Sequence, residues 1–387
     1  MSRPCRLIEI SGAPYERGLS YGRQAAPEIK TGIAHYAAQV RDLDLSDVAL
    51  AQVVSSYLPK IEAFEPRYVE EMRGIAEGAG VEFHHVVMIN ARTEVLKLAA
   101  NRDLRAGLLG EIEPDGCTTV VVGPRAAAEG RLIHAHNWDW KMESAEASVV
   151  LRIRQEDGPD ILTFTEAGAL GRFGFNALGI GITANYLECE RDYSQIGVPL
   201  ALIRRQVLEQ THFALALRSA YVTPKSGSNN IVLTHAGGGL TFNFECAPDE
   251  SFDFEAPDGL LVHANHWRSQ AALAKLREKG VWAMPDSLYR DRRTRALLAD
   301  RIGRLTVADV KAALLDDWGS PWSICRPPRP STTSNLSATV ITLVMQPDLG
   351  KMEIAVLPAL DPTFTTYELE MEAAAQAAPA GGQPAHA

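Results

Sequence analysis

The sequence predicts an α+β protein in which antiparallel sheets are covered by helices. Apolar residues recur at helical spacing in the first third of the chain. After Cys117 they alternate with a period of two, which is typical of half-buried strands. Helical and strand-like segments also come in blocks rather than in the steady β-α-β alternation of a parallel sheet.

The first third is predicted to be mostly helical. A short strand lies within residues 1–13, and a helix covers residues 15–40. A second helix begins after Ser46 as N-cap, and a third runs from Pro66 to the glycines at 78 and 80. Residues 101–114 are charged and contain glycine, so we expect an exposed loop there.

The remaining elements follow from turn residues and periodicity. Helices are predicted at 197–220 (one or two), 286–302 and 306–316, the last with Thr306 as N-cap and Asp309 at the capping-box position. Strands are predicted at 120–122, 132–133, 148–154, 161–164, 229–233, 240–244, 260–262, 336–346 and 351–357. No linker divides the chain, which predicts one domain over residues 1–372 and a disordered tail over 373–387.

Composition excludes several classes of function. The chain has 387 residues, 46% hydrophobic and 22% charged, and its formal net charge of −10 argues against nucleic acid or anionic membrane as a partner. There is no apolar run long enough to cross a membrane, and the N-terminal stretch is too short and charged for a secretory signal. The five cysteines are widely spaced, so we expect no disulfide framework and a cytoplasmic location.

Cys117 is the strongest candidate for chemistry. It begins one predicted strand, and Asp139 ends the next, so antiparallel pairing would bring the two residues together. Gly116 precedes the cysteine and permits unusual backbone conformations, so the thiol could attack the Gly116 carbonyl. Cleavage there would give Cys117 a nucleophilic sulfur and a basic α-amine. The alternative is a small, buried cysteine beside a tight turn.

The other groups that such a site needs are less specific. The freed α-amine, with a reference pKa of about 7.7–8.0, would serve as base, and Asp139 would orient it. Asn185 and Asn230 lie at strand ends and are candidate oxyanion donors. The aromatic side chains could line an apolar acyl pocket or simply belong to the core; they are Trp138, Trp140, Tyr186 and Trp267.

A metal site is the first competing hypothesis. The pair His263 and His266 is the only close histidine pair that suggests one, but its spacing at a strand end does not aim both rings at one point. No H-E-x-x-H, P-loop or G-x-S-x-G motif occurs. We therefore predict no metal, and a non-catalytic binding protein remains the second alternative.

The motifs taken together resemble the acyl-coenzyme A:6-aminopenicillanic acid acyltransferase (isopenicillin-N acyltransferase) family of self-processing N-terminal-nucleophile hydrolases. The matches run in order from about residue 10 to about residue 362. They are Glu71 to Gly78, Asn90 to Glu94, Asp115 to Thr119, Asn137 to Trp140, Gly179 to Asn185, Ser228 to Asn230, and His263 to Trp267.

The resemblance implies an αββα sandwich of two antiparallel sheets between helical layers. It implies cleavage between Gly116 and Cys117 into an α chain, residues 1–116, and a β chain, residues 117–387, that remain associated. By motif position Cys117 is nucleophile and base, and Asp139 supports it. Asn230 is the oxyanion donor, and Asn185 is a second contributor by looser likeness to choloylglycine hydrolases.

One position departs from the related hydrolases, in which an arginine lies three residues before the aspartate. Here that residue is His136, so the binding of a substrate carboxylate or carbonyl by an arginine at this position is not predicted for this chain. We expect His136, Trp138, Trp140 and Tyr186 to bind substrate. The predicted reaction moves an acyl group from a small-molecule amide or thioester through acyl-Cys117 to water or an amine, and amide hydrolysis is favoured. No cofactor is predicted; coenzyme A as a thioester co-substrate and a homo-oligomer are left open.

Overall fold

Two sheets form the centre of the molecule. A computed structural model describes residues 3–42, 47–104, 116–330 and 336–372. The first sheet has eight strands in the order β1-β4-β5-β6-β7-β8-β9-β10, and they are Arg6–Ile10, Ser148–Ile153, Ile161–Glu166, Phe173–Asn176, Ile180–Tyr186, Asn229–His235, Leu240–Cys246 and Ser251–Asp253. Every neighbouring pair is antiparallel except β1 and β4, which run parallel.

The second sheet contains the strand that begins at the predicted cleavage site. Its order is β11-β2-β3-β13-β14-β15, and β12 pairs with β13; all pairs are antiparallel. In that order, with β12 last, the strands are Leu260–His263, Gly116–Val122, Ile133–Lys141, Leu336–Gln346, Lys351–Val356, Thr365–Glu368 and Arg329–Pro330.

The helices lie in three blocks, between β1 and β2, between β7 and β8, and between β11 and β12. In chain order α1 to α13 are Pro14–Gln24, Ala26–Asp42, Asp47–Ser55, Leu58–Phe64, Pro66–Ala79, Phe83–Asn90, Arg92–Leu104, Leu200–Leu208, Phe213–Val222, Gln270–Leu273, Gly280–Ala283, Asp286–Ala299 and Val307–Leu314. Among the described residues, no helix is both long and apolar enough to cross a membrane.

Alternating side chains of β2 divide the core into layers. Val120 and Val122 pack with Leu298 and Leu314 on the side of α12 and α13. Val121 points the other way and packs with Val232 of the first sheet. The first sheet packs on its far side against the helices of the N-terminal third and against α8 and α9. The layers are therefore helix, sheet, sheet and helix, which confirms the predicted α+β sandwich.

Most predicted elements are present, with local differences. The capping box of Thr306 and Asp309 is confirmed at α13. The helix predicted over 15–40 is broken at Ala25, because the ring of Pro27 cannot accommodate the carbonyl of residue 23 in a continuous helix. Residues 101–104 are the end of α7 rather than loop. Residues 105–115 of the predicted loop and the predicted tail, 373–387, lie outside the described residues, and the domain boundary stays a prediction.

Candidate active site

The antiparallel pair β2 and β3 holds the predicted nucleophile. In its register Gly116 lies opposite Asp139, and Cys117 lies opposite Trp138. Every residue of β2 is buried, because helices cover one face and the first sheet covers the other. Successive side chains of a strand point to opposite faces. Asp139 is therefore on the helix side with Gly116, whereas the Cys117 side chain faces the space between the sheets.

The Asp139 carboxylate lies directly beside Gly116. A β-carbon on residue 116 would be 2.8 Å from Asp139 Oδ2 and 3.1 Å from an Arg326 terminal nitrogen. Asp139 Oδ1 accepts a hydrogen bond from Thr339 Oγ1 at 2.7 Å, and Oδ2 lies 3.3 Å from Arg326 Nε. Gly116 is not among the glycines with positive φ. Glycine is therefore needed at position 116 because Asp139 and Arg326 come so close to the backbone. The unusual backbone conformation that we expected there is not found.

The Cys117 backbone is held on both sides by side chains. Its N–H donates to Asn265 Oδ1 at 2.8 Å, and its carbonyl accepts from Arg290 Nη1 at 2.6 Å. Arg290 Nη2 also donates to Asn265 Oδ1 at 2.9 Å. Asp286 connects Arg290, at 2.8 Å, with Arg326. The peptide group that precedes the thiol is thus fixed by a buried network of charged and amide groups.

The Cys117 side chain lines a small cavity between the sheets and the helices. The cavity encloses about 30 Å³. This is room for one or two water-sized groups. Its walls come from α6, α7 and α8, from β5, β7 and β8, and from the loop after β5. The cysteine itself is 2% exposed, so this cavity is the space next to the thiol.

Buried ion pairs surround this cavity. Glu166 accepts from Arg92 Nε at 2.7 Å and from Arg172 Nη1 at 3.0 Å. Burial by itself raises the pKa of Glu166, but the two guanidinium groups outweigh it and hold this pKa below its usual value. The Arg172 guanidinium also lies 4.1 Å above the Trp138 ring. Arg92 of α7 and Arg172 of the loop after β5 thus both lie near Trp138, two residues after His136, which stands where the related hydrolases have an arginine.

Asn185 and Asn230 lie side by side on the inner face of the first sheet, since they are paired in the register of β7 and β8. Asn185 Nδ2 donates to the carbonyls of His263 at 2.8 Å and Ala264 at 3.0 Å, and its Oδ1 accepts from Thr119. Both amide hydrogens are therefore engaged. Asn230 is fully buried, and neither of its side-chain polar atoms has a hydrogen-bond partner among the described residues.

The predicted substrate-binding residues do not come together. Among the described residues, the cavity wall includes Tyr186 and Asn185 but not His136, Trp138 or Trp140. His136 is buried against Phe173 with Nδ1 at 2.8 Å from Thr119 Oγ1. Burial and nearby Arg172 hold the pKa of His136 well below its usual value. A neutral imidazole in the core cannot replace the cationic side chain of the related hydrolases.

The histidines of the metal hypothesis are engaged with protein groups. His263 Nε2 lies 2.7 Å from Glu245 Oε1, and its Nδ1 lies 3.0 Å from the carbonyl of Ala264. His266 Nδ1 lies 2.8 Å from Ser287 Oγ. Within the described ranges no group of three or more histidine, cysteine or acidic side chains could hold a metal ion.

Several residues of the site carried no predicted role. Asn265 lies within the motif at 263–267, and its position just after a buried strand could have identified it as a site residue. Arg290 and Arg326 gave no signal, because they reach the site from a helix and from a loop far along the chain. Only the packed structure shows that Arg290 of α12 contacts Cys117 and that Arg326 lies beside Gly116 and Asp139.

Two mainly antiparallel sheets between helical layers form the αββα sandwich of the N-terminal-nucleophile hydrolase fold. Solved structures are similar to this chain at a low level. A mutant of the conjugated bile acid hydrolase from Clostridium perfringens is 10% identical, has a TM-score of 0.46, and the alignment covers 67% of this chain and 94% of that chain. Penicillin V acylase of Agrobacterium tumefaciens is 12% identical and has a TM-score of 0.40. That alignment covers 65% of this chain and 86% of that chain. The fold assignment rests on the sheets themselves.

Sequence relatives are more informative. The acyl-coenzyme A:6-aminopenicillanic-acid-acyltransferase 40 kDa form of Emericella nidulans is 29% identical over 333 residues, which are 82% of this chain and 84% of that protein. The beta-alanyl-dopamine/carcinine hydrolase of Drosophila melanogaster is 28% identical over 125 residues, 31% of this chain and 30% of that protein.

The chain belongs to the family described as acyl-coenzyme A:6-aminopenicillanic acid acyl-transferase, which it matches over residues 126–357. This confirms the predicted family. It also confirms the prediction that the chain is an enzyme of the amide hydrolase or acyltransferase class.

Proposed function

We propose that the chain is a self-processing amidohydrolase or acyltransferase in which Cys117 is the nucleophile. One observation carries the proposal. Cys117 is held by its own backbone, through Asn265 and Arg290, with its thiol toward a small cavity and the preceding peptide against Asp139. A buried cysteine with only a packing role would not need a charged network around its peptide groups.

Self-cleavage begins when Cys117 Sγ attacks the Gly116 carbonyl carbon. The C–N bond breaks, the amide nitrogen takes up the thiol proton and becomes the α-amine, and Gly116 is left as a thioester on Sγ. Water then attacks the thioester, which yields the Gly116 carboxylate and the free thiol. Asn265 Oδ1, which accepts the Cys117 N–H in the intact chain, would then accept from the new amine and orient it.

Substrate turnover repeats this chemistry on an external amide. The α-amine takes the thiol proton, Sγ attacks the substrate carbonyl, and the ammonium returns the proton to the leaving amine. The side-chain amide of Asn230, buried and without a partner among the described residues, is the candidate donor to the oxyanion. Water or an amine then releases the acyl group. Asp139 supports the ammonium electrostatically from the far side of the strand.

Amide hydrolysis is the favoured outcome, with a small-molecule amide as substrate. The Emericella relative is called an acyltransferase and the Drosophila relative a hydrolase, so the final acceptor differs among relatives. Transfer from a coenzyme A thioester is the second candidate. All five cysteines are free and buried, which fits the proposed cytoplasmic location. The α and β chains would remain associated through the shared core of helices and sheets.

Acylation by an activated ester tests the nucleophile. The processed protein, mixed with 4-nitrophenyl acetate, is expected to release one equivalent of 4-nitrophenolate in a burst and to gain one acetyl group on the peptide that begins with Cys117. Cys117→Ala should show neither, whereas Cys325→Ala, at another buried cysteine, should behave like wild type. A burst that survives in Cys117→Ala would overturn the proposal.

A further inference from the structure

Arg204 is a buried cation in the wall of the Cys117 cavity. It belongs to α8 and is 8% exposed. No hydrogen bond or ion pair joins its guanidinium to any residue in the part of the chain that the structure describes. The guanidinium carbon lies 5.6 Å from the centre of the Phe173 ring. Burial and Arg172 lower the pKa of Arg204 to about 9, so the group stays charged at neutral pH. The electrostatic interaction with Cys117 raises the pKa of Arg204.

The charges around the cavity do not balance without a ligand. Glu166 is shared by Arg92 and Arg172. Glu94, the other carboxyl group in the wall, accepts from the Leu200 N–H at 2.8 Å at the start of α8. Burial raises the pKa of Glu94. The wall thus holds three guanidinium groups, those of Arg92, Arg172 and Arg204, and two carboxyl groups, so one positive charge is in excess even when Glu94 is ionised. A buried cation is costly unless an anion accompanies it.

Asn229 is a second, independent indication of a ligand at this place. It is 1% exposed, lines the same cavity, and neither its Nδ2 nor its Oδ1 has a hydrogen-bond partner among the described residues. A buried amide without partners loses the free energy of its hydrogen bonds with water. Its neighbour Asn230 points to the opposite face of β8, because side chains alternate along a strand.

We propose that Arg204 and Asn229 form a carboxylate subsite next to Cys117, so that the preferred substrate is an amide bearing a carboxylate near the scissile bond. The proposal rests on the function proposed above. A guanidinium binds a carboxylate with two parallel hydrogen bonds, and one excess positive charge matches one negative charge. A cavity of about 30 Å³ suits this small planar group better than a phosphate, whose additional oxygens and charge would need more donors.

Two alkylating reagents that differ in one charged group test the subsite. Iodoacetate carries a carboxylate, iodoacetamide is its neutral analogue, and both react with a thiolate, so any change in thiolate content cancels from their rate ratio. The rates at Cys117 are measured in the processed protein by mass spectrometry. We expect the iodoacetate to iodoacetamide ratio to exceed that of glutathione by about 10-fold or more, because Arg204 attracts the anion. An equal ratio would overturn the subsite.

Variants separate the guanidinium from general effects on structure. Arg204→Gln should lower the ratio about 10-fold, Asn229→Ala should lower it less, and Arg204→Lys should keep most of it because the charge remains. Arg218→Gln, which removes an exposed arginine of α9, should leave the ratio unchanged. An unchanged ratio in Arg204→Gln contradicts the subsite alone. Cys117 that reacts with both reagents no faster than glutathione contradicts the proposed function, and the subsite with it.

Matched amides then show which side of the scissile bond carries the carboxylate. Glutaryl 4-nitroanilide against pentanoyl 4-nitroanilide tests the acyl side, and hexanoylglycine against hexanoylglycinamide tests the amine side. In one of the pairs kcat/KM should favour the acid in wild type and lose that preference in Arg204→Gln. Equal kcat/KM values within both pairs would overturn the proposal.

Discussion

At residue 116 the backbone passes so close to the Asp139 carboxylate that no larger residue fits. A β-carbon there would lie 2.8 Å from Asp139 Oδ2 and 2.9 Å from Asp139 Cβ, both shorter than real contacts of β-carbons. The aspartate is itself fixed by Thr339 and Arg326. The glycine and the aspartate thus form one unit in which the carboxylate is held beside the peptide at which cleavage is proposed.

Gly116→Ala should therefore slow self-cleavage, because the methyl group displaces Asp139 from the peptide. We expect a decrease of about 10-fold or more, in line with the sensitivity of catalysis to small misplacements. The fraction of uncut chain, followed over time by mass spectrometry, measures the effect. Gly123→Ala is the control, since a β-carbon there meets only Gly259 at 3.5 Å. Wild-type cleavage in Gly116→Ala would show that the close approach has no role.

Cys117 and its neighbours along the chain can be identified from the sequence, whereas the side chains that bond the Cys117 backbone cannot. Gly-Cys before an apolar run, and an aspartate at the end of the next strand, are local patterns, and both lie in the site. Asn265 and Arg290 contact Cys117 from 148 and 173 residues away, and no local pattern encodes such contacts. The choice of Asn230 over Asn229 depends on which face of β8 each side chain occupies.

Among the elements, α1 and α5 cross in direct backbone contact. Gly18 and Gly22 of α1 face Gly74 and Gly78 of α5, and a β-carbon on any of the four would lie 2.0 to 2.3 Å from a backbone carbonyl oxygen of the other helix. The Glu71 carboxylate pairs with Arg17 at 2.5 Å and with Arg205 of α8 at 3.4 Å. The crossing therefore connects the N-terminal helices to the helix that carries Arg204.

Gly74→Ala should destabilise the protein by about 3 kcal/mol or more, because the helices must separate or bend to admit the methyl group. The thermal unfolding midpoint measures the loss. Gly32→Ala in α2 is the matched control, since its β-carbon would meet only Ala147 Cβ at 3.5 Å. This control should gain about 0.5–1 kcal/mol from the better helix propensity of alanine. Equal midpoints for Gly74→Ala and wild type would contradict the account of the crossing.

Elements themselves follow largely from local chemistry. The capping box at Thr306 and the long strands β13 and β14 have the expected residues and the expected bounds to within one or two positions. The parallel pairing of β1 with β4 does not follow from local chemistry, because all the N-terminal helices lie between the two strands in the sequence. Pairing over that distance depends on how the helical layer packs, and the sequence pattern does not contain it.

In the whole molecule, polar side chains join the two sheets near the site. His134 of β3 lies 2.8 Å from Thr183 Oγ1 and 3.0 Å from Thr234 Oγ1, both on the first sheet, through its Nε2 and Nδ1. Asn185 connects the same sheets through Thr119 and the backbone of β11. Burial lowers the pKa of His134 from 6.5 to about 3, so this ring is neutral in the folded protein.

Stability should therefore fall in acid through His134. Between about pH 6.5 and about pH 3 the unfolded histidine binds a proton that the folded one does not, so stability is complete above this window and decreases as the pH falls. His134→Gln should reduce the slope of unfolding free energy against pH by up to about 1.4 kcal/mol per pH unit. Urea unfolding across the window measures it, with His84→Gln as control. An unchanged slope would mean that His134 binds its proton equally in both states.

The central claim is that the chain cuts itself before Cys117, and the mass of the purified protein under denaturing conditions tests it most directly. We expect two species that divide between Gly116 and Cys117 for wild type, and one species of the full 42.1 kDa for Cys117→Ala. Wild-type protein that remains a single species after long incubation at neutral pH would contradict the claim, since the α-amine on which the mechanism depends would never form.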